Sequence, residues 1–253
     1  MPRTSLLTIT FLALSFSRAA AAAEFVELPP IADNTLYFSP TGHLSNGAGD
    51  FFFTGTTSFV EARRGLVRFD IAGAIPAGAT ITDVTLSLHM SRTSAAAEIT
   101  SLHPLLASWG EGASDAPGEE GTGAPAQPGD ATWLHTGFNT HFWAAPGGDF
   151  DPTPSAAIPV IGVAYYDWTA TPLLLDDVQG WLDQPATNHG WLLMGNEANG
   201  GSAKRFDSRE HPDPTVRPIL TIGYEPIPEP GTLALCLIPL SALCRRTRQS
   251  LRQ

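Results

Sequence analysis

Apolar and polar residues alternate along several stretches in the middle of the chain. In ATITDVTLSLHM, the apolar residues recur at every second position, at Val84, Leu86, Leu88 and Met90. RRGLVRFDI alternates in the same way, and TLYFS, DFFFTGTT, WLLMG and PILTIGY are further apolar or β-branched runs. A period of two is typical of half-buried strands. Turns such as AIPAGA separate the runs, so the pattern predicts an all-β body, an antiparallel β-sandwich.

One segment, TPLLLDDVQGWLDQP, departs from this period. Thr171 is suited to cap a helix, Pro172 to occupy its first position, and Pro185 to end it. The sequence therefore predicts one short helix against the sandwich. Its adjacent Asp176 and Asp177 admit two interpretations: a general acid and base, or acids of the first turn that the helix dipole favours. The second is the simpler one.

The N-terminal end has the pattern of a secretory signal peptide. A basic start is followed by the apolar run SLLTITFLALSFS and then by AAAAAE, whose small residues suit cleavage after Ala23. We therefore predict that residues 1–23 are a signal peptide and that the protein is exported. The alternative is a buried N-terminal helix.

The C-terminal end carries a second apolar run, within PIPEPGTLALCLIPLSALCRRTRQ. Residues 232–244 would span about 20 Å as a helix, against a hydrocarbon core of about 30 Å. Arg245 and Arg246 follow directly and would stay on the cytoplasmic side. This pattern predicts a short transmembrane helix that anchors the protein transiently. A permanent anchor in a thinned bilayer is the alternative.

The charge of the body excludes some partners. The chain has 25 acidic and 14 basic residues, of which one acidic and six basic residues lie in the two end segments. Residues 24–225 therefore carry 24 acidic and 8 basic residues, a net charge of −16. Such a body repels nucleic acid and anionic membrane surfaces. Both cysteines lie in the C-terminal segment, so no disulfide is expected in the body.

Candidate chemistry in the body points to binding. The sequence contains no HExxH, GxSxG or P-loop motif, and no catalytic residue is assigned. Trp133 and Trp143 could stack on sugar rings, and Arg63 could meet an acidic polysaccharide; structural roles are the alternative for each. Arg64 or Arg209 could instead pair with Glu210 or Asp70 inside the fold.

A structural Ca²⁺ is the one cofactor that the sequence suggests. Asp33, Asp149 and Asp151 offer oxygen ligands on predicted loops, without an EF-hand pattern. The stretch from 110 to 131, GEGASDAPGEEGTGAPAQPGDA, has little apolar content and is predicted to be a long exposed loop.

The ordered set RRGLVRFDIAGAIPAGATITDVTLSLHM, ASWGEG, TWLHTGFNTHFW, APGGDFD, NHGWLLMGNE and KRFDSREHPDPTVRPILTIGY resembles the DNRLRE-type domain. The resemblance covers roughly residues 32–224. It implies a secreted bacterial domain with a jelly-roll-like fold related to carbohydrate-binding modules. FDSRE, residues 206–210, stands at the position of the family's signature before the last strand. On this resemblance we define residues 24–225 as a DNRLRE-like domain.

The C-terminal segment, residues 226–253, resembles the PEP-CTERM sorting signal. The resemblance rests on a proline-rich motif, an apolar helix and an arginine cluster, at Pro228, Glu229, Pro230, Gly231, Arg245 and Arg246. It implies recognition by an exosortase in the inner membrane of a Gram-negative-type bacterium and cleavage near the Pro-Glu-Pro motif.

These observations predict an exported, non-catalytic protein of the cell surface or extracellular matrix. Its role would be structural or adhesive, in association with extracellular polysaccharide. Two alternatives remain open. One is a module that recognises a specific glycan, and the other is a polysaccharide-degrading enzyme whose site is not recognised.

Overall fold

The computed structural model describes residues 22–227, which form a β-rich, sandwich-like body. The first strands are β1 (Glu24–Leu28), β2 (Ala32–Tyr37), β3 (Leu44–Ser45), β4 (Phe51–Thr56), β5 (Ala62–Arg68), β6 (Thr80–Thr93) and β7 (Glu98–Pro104). Five follow: β8 (Ala124–Pro125), β9 (His135–Gly137), β10 (His141–Phe142), β11 (Ala156–Val160) and β12 (Ala164–Thr169). After helix α1 (Pro172–Asp183) come β13 (Trp191–Met194), β14 (Lys204–Asp207) and β15 (Ile219–Glu225).

Eleven of these strands form one curled antiparallel sheet. In the first half β6 pairs with β12, β14 and β15, and β1 pairs with β15. Strand β4 pairs with both β14 and β5 and so carries the sheet into its second half. There β5 pairs with β2 and β13, and β13 continues to β7 and β11. The sheet therefore folds back over itself at β4.

The main hydrophobic core contains the inward-facing residues of both halves. Leu86, Leu88 and Met90 of β6 are fully buried, while Ser87 and His89 between them are partly exposed. This confirms the period-two prediction for β6. The tryptophans Trp168, Trp181 and Trp191 are the largest side chains in the same cluster.

Helix α1 begins and ends near the predicted residues. The Thr171 side chain accepts a hydrogen bond from the Leu174 amide (3.0 Å), and Pro172 is the first helical residue. The prediction of first-turn acids is wrong, because the first turn contains none. Asp177 instead lies in the second turn, where its carboxylate accepts hydrogen bonds from Trp191 Nε1 (2.8 Å) and Ser155 Oγ (2.5 Å). It ties the helix to the core.

The segment from 110 to 131 is a long connection with little regular structure, as predicted, but it is packed against the sheet and is not exposed throughout. Ser114, Glu120 and Asp130 are buried, with 0%, 5% and 0% of their surfaces exposed. The Asp130 carboxylate accepts hydrogen bonds from two backbone amides of the same segment, those of Ala113 and Gln127. Buried polar side chains can hold a segment that has little apolar surface of its own, because they satisfy its backbone donors.

The predicted terminal elements lie outside the described residues. These are the signal peptide, except for its last two residues, and the sorting-signal residues from Pro228 onward, including Glu229, Pro230, Gly231, Arg245 and Arg246. Within residues 22–227, no helix is both long enough and apolar enough to span a bilayer.

Candidate ligand-binding cleft

The two tryptophans proposed as a sugar-stacking platform are buried. Trp133 is 8% and Trp143 is 5% exposed, and both belong to a second hydrophobic cluster beside the main core. The Trp143 indole donates a hydrogen bond to the Thr132 carbonyl (2.8 Å), and the Arg64 guanidinium lies 4.8 Å from the centre of the Trp133 ring. Stacking requires an exposed ring face. A glycan-binding surface would therefore have to lie elsewhere.

The third proposed glycan-binding residue, Arg63, forms internal contacts. It is 4% exposed, and its guanidinium stacks on Tyr37 at 4.9 Å from the ring centre. Its nitrogens donate hydrogen bonds to the carbonyls of Gly121 (3.3 Å) and Ala62 (3.0 Å). Arg63 thus joins the 110–131 segment to β5.

The three aspartates proposed as Ca²⁺ ligands do not form a common site. The Asp149 carboxylate accepts hydrogen bonds from the amides of Ala144 and Ala145, and Asp151 accepts one from the Thr153 amide. Each of these two therefore closes a local turn. Asp33, which is 1% exposed, lies on β2 in a different group.

Asp33, Glu111 and Glu210 form a carboxylate cluster whose ligand atoms lie within 4.8 Å of one another. Arg209 neutralises part of its charge. Its guanidinium contacts both Glu111 oxygens (2.6 and 2.8 Å) and Glu210 (2.8 Å), and its amide donates to Asp33 Oδ2 (2.7 Å). Of the pairings left open for Arg64 and Arg209, the one between Arg209 and Glu210 is present, whereas Arg64 pairs with Glu197.

Two members of the carboxylate cluster, Asp33 and Glu210, have raised pKa values. Burial raises the pKa of Asp33 well above its usual value, and burial raises the pKa of Glu210 to about 7. Oxygen donors of this kind suit a hard cation such as Ca²⁺. In this structure, however, both Glu111 oxygens are engaged by Arg209. The arrangement is therefore that of a buried charge network built around an arginine.

A histidine–aspartate pair that the sequence pattern did not single out lies where β6 meets β14. His89 Nδ1 is 2.5 Å from Asp207 Oδ2, and the ring of Tyr165 covers the imidazole at a centroid distance of 4.7 Å. Asp207 Oδ1 is buried without a hydrogen-bond partner among the described residues, and His211 Nε2 lies 4.0 Å away. The carboxylate orients the His89 ring, which favours a stabilising role at this junction.

The described residues also form an open cleft of about 530 Å³, here called the arginine cleft. It lies between the ends of β6 and β14, the turn after β4 and the 110–131 segment. Three of the eight basic residues of the body line it together with one carboxylate, a phenyl ring, hydroxyls and small residues: Arg63, Arg92, Arg205, Glu119, Phe53, Thr57, Thr93, Ser94, Gly121 and Ala203.

Two of the arginines in the cleft stand directly opposite each other. Arg92 of β6 and Arg205 of β14 are register partners in the antiparallel pair. Like charges at directly opposed positions destabilise a sheet. Glu119 compensates for this repulsion: its Oε2 contacts the guanidinium of Arg92 and lies 2.5 Å from Nη1 of Arg205. The hydrogen bond from Arg92 is the main reason that the pKa of Glu119 is lowered.

The two arginines differ in how firmly the fold holds them. The Arg205 side chain is 14% exposed; its guanidinium lies 3.7 Å from the centre of the Phe51 ring, and its Nε donates to Ser91 Oγ (3.1 Å). Arg92 is 61% exposed. One closely packed and one largely exposed cation therefore face the same anionic group.

Glu120 determines where the neighbouring Glu119 stands. Its carboxylate accepts hydrogen bonds from Asn46 Nδ2 (2.7 Å), the Phe51 amide (2.9 Å) and the Asp50 amide (3.0 Å). Its carbonyl accepts one from the Tyr37 hydroxyl (2.9 Å), and its φ of 60° is in the left-handed region. This anchor turns the chain so that the Glu119 side chain, 66% exposed, reaches over the two arginines.

The turn after β4 forms another border of the cleft and carries backbone strain. Its Thr57 lines the cleft, and Val60 in the same turn has a φ of 62°. A β-branched residue rarely adopts this conformation. Phe59 beside it is 83% exposed. Strained backbone of this kind clusters at active sites and ligand-binding sites.

Comparison with known proteins adds no homologous function: the chain matches no protein-family model and no curated protein. Geometry and sequence therefore carry the functional argument. They define a β-rich, sandwich-like protein with an arginine-lined cleft. The lining of that cleft suits the binding of an anionic, hydroxyl-bearing ligand.

Proposed function

We propose that the protein is an exported, non-catalytic component of the cell surface or extracellular matrix. A jelly-roll-like, DNRLRE-type body of residues 24–225 associates with extracellular polysaccharide in a structural or adhesive role. The N-terminal segment directs export, and an exosortase processes the C-terminal segment during a transient stay in the inner membrane of a Gram-negative-type cell.

The observation that supports this proposal best is the position of the two ends of the body. Strand β1 begins at Glu24, directly after the predicted cleavage point, and β15 ends at Glu225. The two strands pair, with Glu24 opposite Tyr224, and the Tyr224 hydroxyl donates to the Glu24 carboxylate (2.8 Å). Removal of both flanking segments would leave every strand of the sheet in place.

The charge of the body agrees with this role. A net charge of −16 over residues 24–225 keeps such a domain soluble and away from anionic lipid surfaces once its anchor is removed. Before processing, the anchor retains the protein at the surface; after processing, retention depends on a bound polysaccharide.

A specific glycan-binding module is the second candidate function, and the arginine cleft is the observation that favours it. Its volume falls within the roughly 300–1,000 Å³ that small-ligand sites occupy. It combines charged donors and hydroxyls with the edge of one aromatic ring.

Cell fractionation tests the main proposal. We expect the full-length protein, expressed in its native cell, to appear at the cell surface or in the extracellular matrix. A chain that stops after Glu225 should also be exported, but without a membrane-bound precursor. Recovery of the full-length protein from the cytosol would contradict the proposal, and so would a full-length chain that is never found in the membrane fraction.

A further inference from the structure

We propose that the arginine cleft binds a carboxylate-bearing sugar, a hexuronate unit of an acidic polysaccharide, and that Glu119 is its internal competitor. The sugar carboxylate would take the place of the Glu119 carboxylate between Arg92 and Arg205. This inference rests on the proposed association with polysaccharide and names the class of glycan.

The sheet itself creates the need for an anion at this position. Arg92 and Arg205 are register partners, so their guanidinium groups repel each other unless a negative charge lies between them. The body has only 8 basic residues against 24 acidic ones, yet three of the basic residues line this one cleft. The cleft is therefore a cationic site on an anionic protein, where an acidic ligand is attracted locally.

A ligand can displace the Glu119 carboxylate from the two arginines at low cost. Its side chain is 66% exposed, and exposed ion pairs are worth about 0–1 kcal/mol. The segment does not depend on its carboxylate, because the adjacent Glu120 anchors the backbone through three hydrogen bonds. The Glu119 side chain can therefore rotate into solvent while the cleft keeps its shape. A ligand that brings a carboxylate together with further contacts would displace it.

The rest of the lining suits a sugar ring. Thr57 and Ser94 bring hydroxyl groups, whereas Phe53 is 7% exposed and closes the wall without offering a stacking face. A lining of charged donors and hydroxyls is complementary to the carboxylate and hydroxyls of such a sugar. The buried Arg63 supports the wall, because its donors already bond to backbone carbonyls. Arg92 and Arg205 are therefore the two ligand-facing cations.

The decisive experiment compares two variants that make the same change in net charge. Purified full-length protein is titrated with oligogalacturonate by isothermal calorimetry at low salt. Glu119→Gln removes the internal competitor, and Glu27→Gln removes an exposed carboxylate on the edge strand β1, away from the cleft. We expect Glu119→Gln to bind about three to ten times more tightly than wild type, because the sugar carboxylate no longer has to displace a charged competitor. Glu27→Gln should stay within about twofold of wild type.

Removal of a ligand-facing cation should have the opposite effect. Arg92→Gln should weaken binding about tenfold, as expected for the loss of a charge-assisted contact to the sugar carboxylate. Arg92 is 61% exposed, so this variant should fold normally, whereas Arg205 also packs on Phe51. A neutral malto-oligosaccharide of the same length should bind at least tenfold more weakly than oligogalacturonate and respond to neither variant.

The inference is overturned if Glu119→Gln binds oligogalacturonate no more tightly than Glu27→Gln, or if the neutral oligosaccharide binds equally well. Acetate that competes as strongly per molecule as the oligosaccharide would also overturn it, because the sugar would then contribute nothing. Failure here combined with retention in the matrix refutes only the uronate assignment. Recovery of the full-length chain from the cytosol refutes the proposed function itself.

Discussion

Substitution of Glu120 tests whether the 110–131 segment is part of the folded body. In Glu120→Ala, the side chain of Asn46 and the amides of Asp50 and Phe51 lose their common acceptor. Glu120 is 5% exposed, so water replaces that acceptor only partly. A buried donor left without a partner costs about 1–3 kcal/mol. We therefore expect Glu120→Ala to lower the free energy of unfolding by about 3–5 kcal/mol.

Two further variants make this expectation specific. Glu120→Gln keeps the shape and one acceptor oxygen but turns an NH₂ group toward the donors, so it should cost about 1–2 kcal/mol. Glu119→Ala changes the neighbouring, 66% exposed residue, whose ion pairs are screened by solvent, and should cost less than either change at Glu120. The loss of stability should rise in the order Glu119→Ala, Glu120→Gln, Glu120→Ala.

Urea unfolding followed by tryptophan fluorescence measures these differences. Trp168 and Trp191 are fully buried in the main core, so their emission reports global unfolding. If Glu120→Ala unfolds within 0.5 kcal/mol of Glu119→Ala, the segment is not anchored as the structure describes. Glu119 would then not be held over the arginine cleft.

Two further predictions concern the carboxylate cluster and helix α1. Because burial raises the pKa of Glu210 to about 7, from 4.5, the folded state binds this proton more tightly than the unfolded state. Its contribution to stability is complete below pH 4.5 and is lost as the pH rises toward 7. Glu210→Gln should therefore reduce the fall in the free energy of unfolding between pH 5 and pH 8, measured by urea unfolding, by about 1–2 kcal/mol after allowance for partial exposure; an unchanged pH profile would contradict this. Asp177→Ala leaves the Trp191 indole without its acceptor and should cost about 2–4 kcal/mol in thermal or urea unfolding. The exposed Asp176→Ala is its matched control and should be nearly neutral, and equal losses in the two variants would refute the role of Asp177.

Strands and the helix could be predicted because their signals are local. The alternation in β6 and the Thr171–Pro172 start of α1 depend on residues within a few positions of each other, and both agree with the structure. The 110–131 segment could not be predicted in this way. Its order comes from buried polar groups such as Glu120, whose partners lie about 70 residues earlier in the chain.

The candidate site was beyond local patterns for the same reason. The opposition of Arg92 and Arg205 depends on the register of β6 with β14, which no short-range signal encodes. Trp133 and Trp143 have the residue type expected of a sugar platform, but their burial depends on how distant elements pack over them. The resemblances to a DNRLRE-type domain and to a PEP-CTERM signal remain predictions.

Mass spectrometry of the mature protein recovered from the native cell surface tests the central claim most directly. The account predicts a chain that starts at or near Glu24, where β1 begins, and ends near Pro230. An exported product that still contains Arg245, or a cytosolic chain with both ends intact, would contradict it.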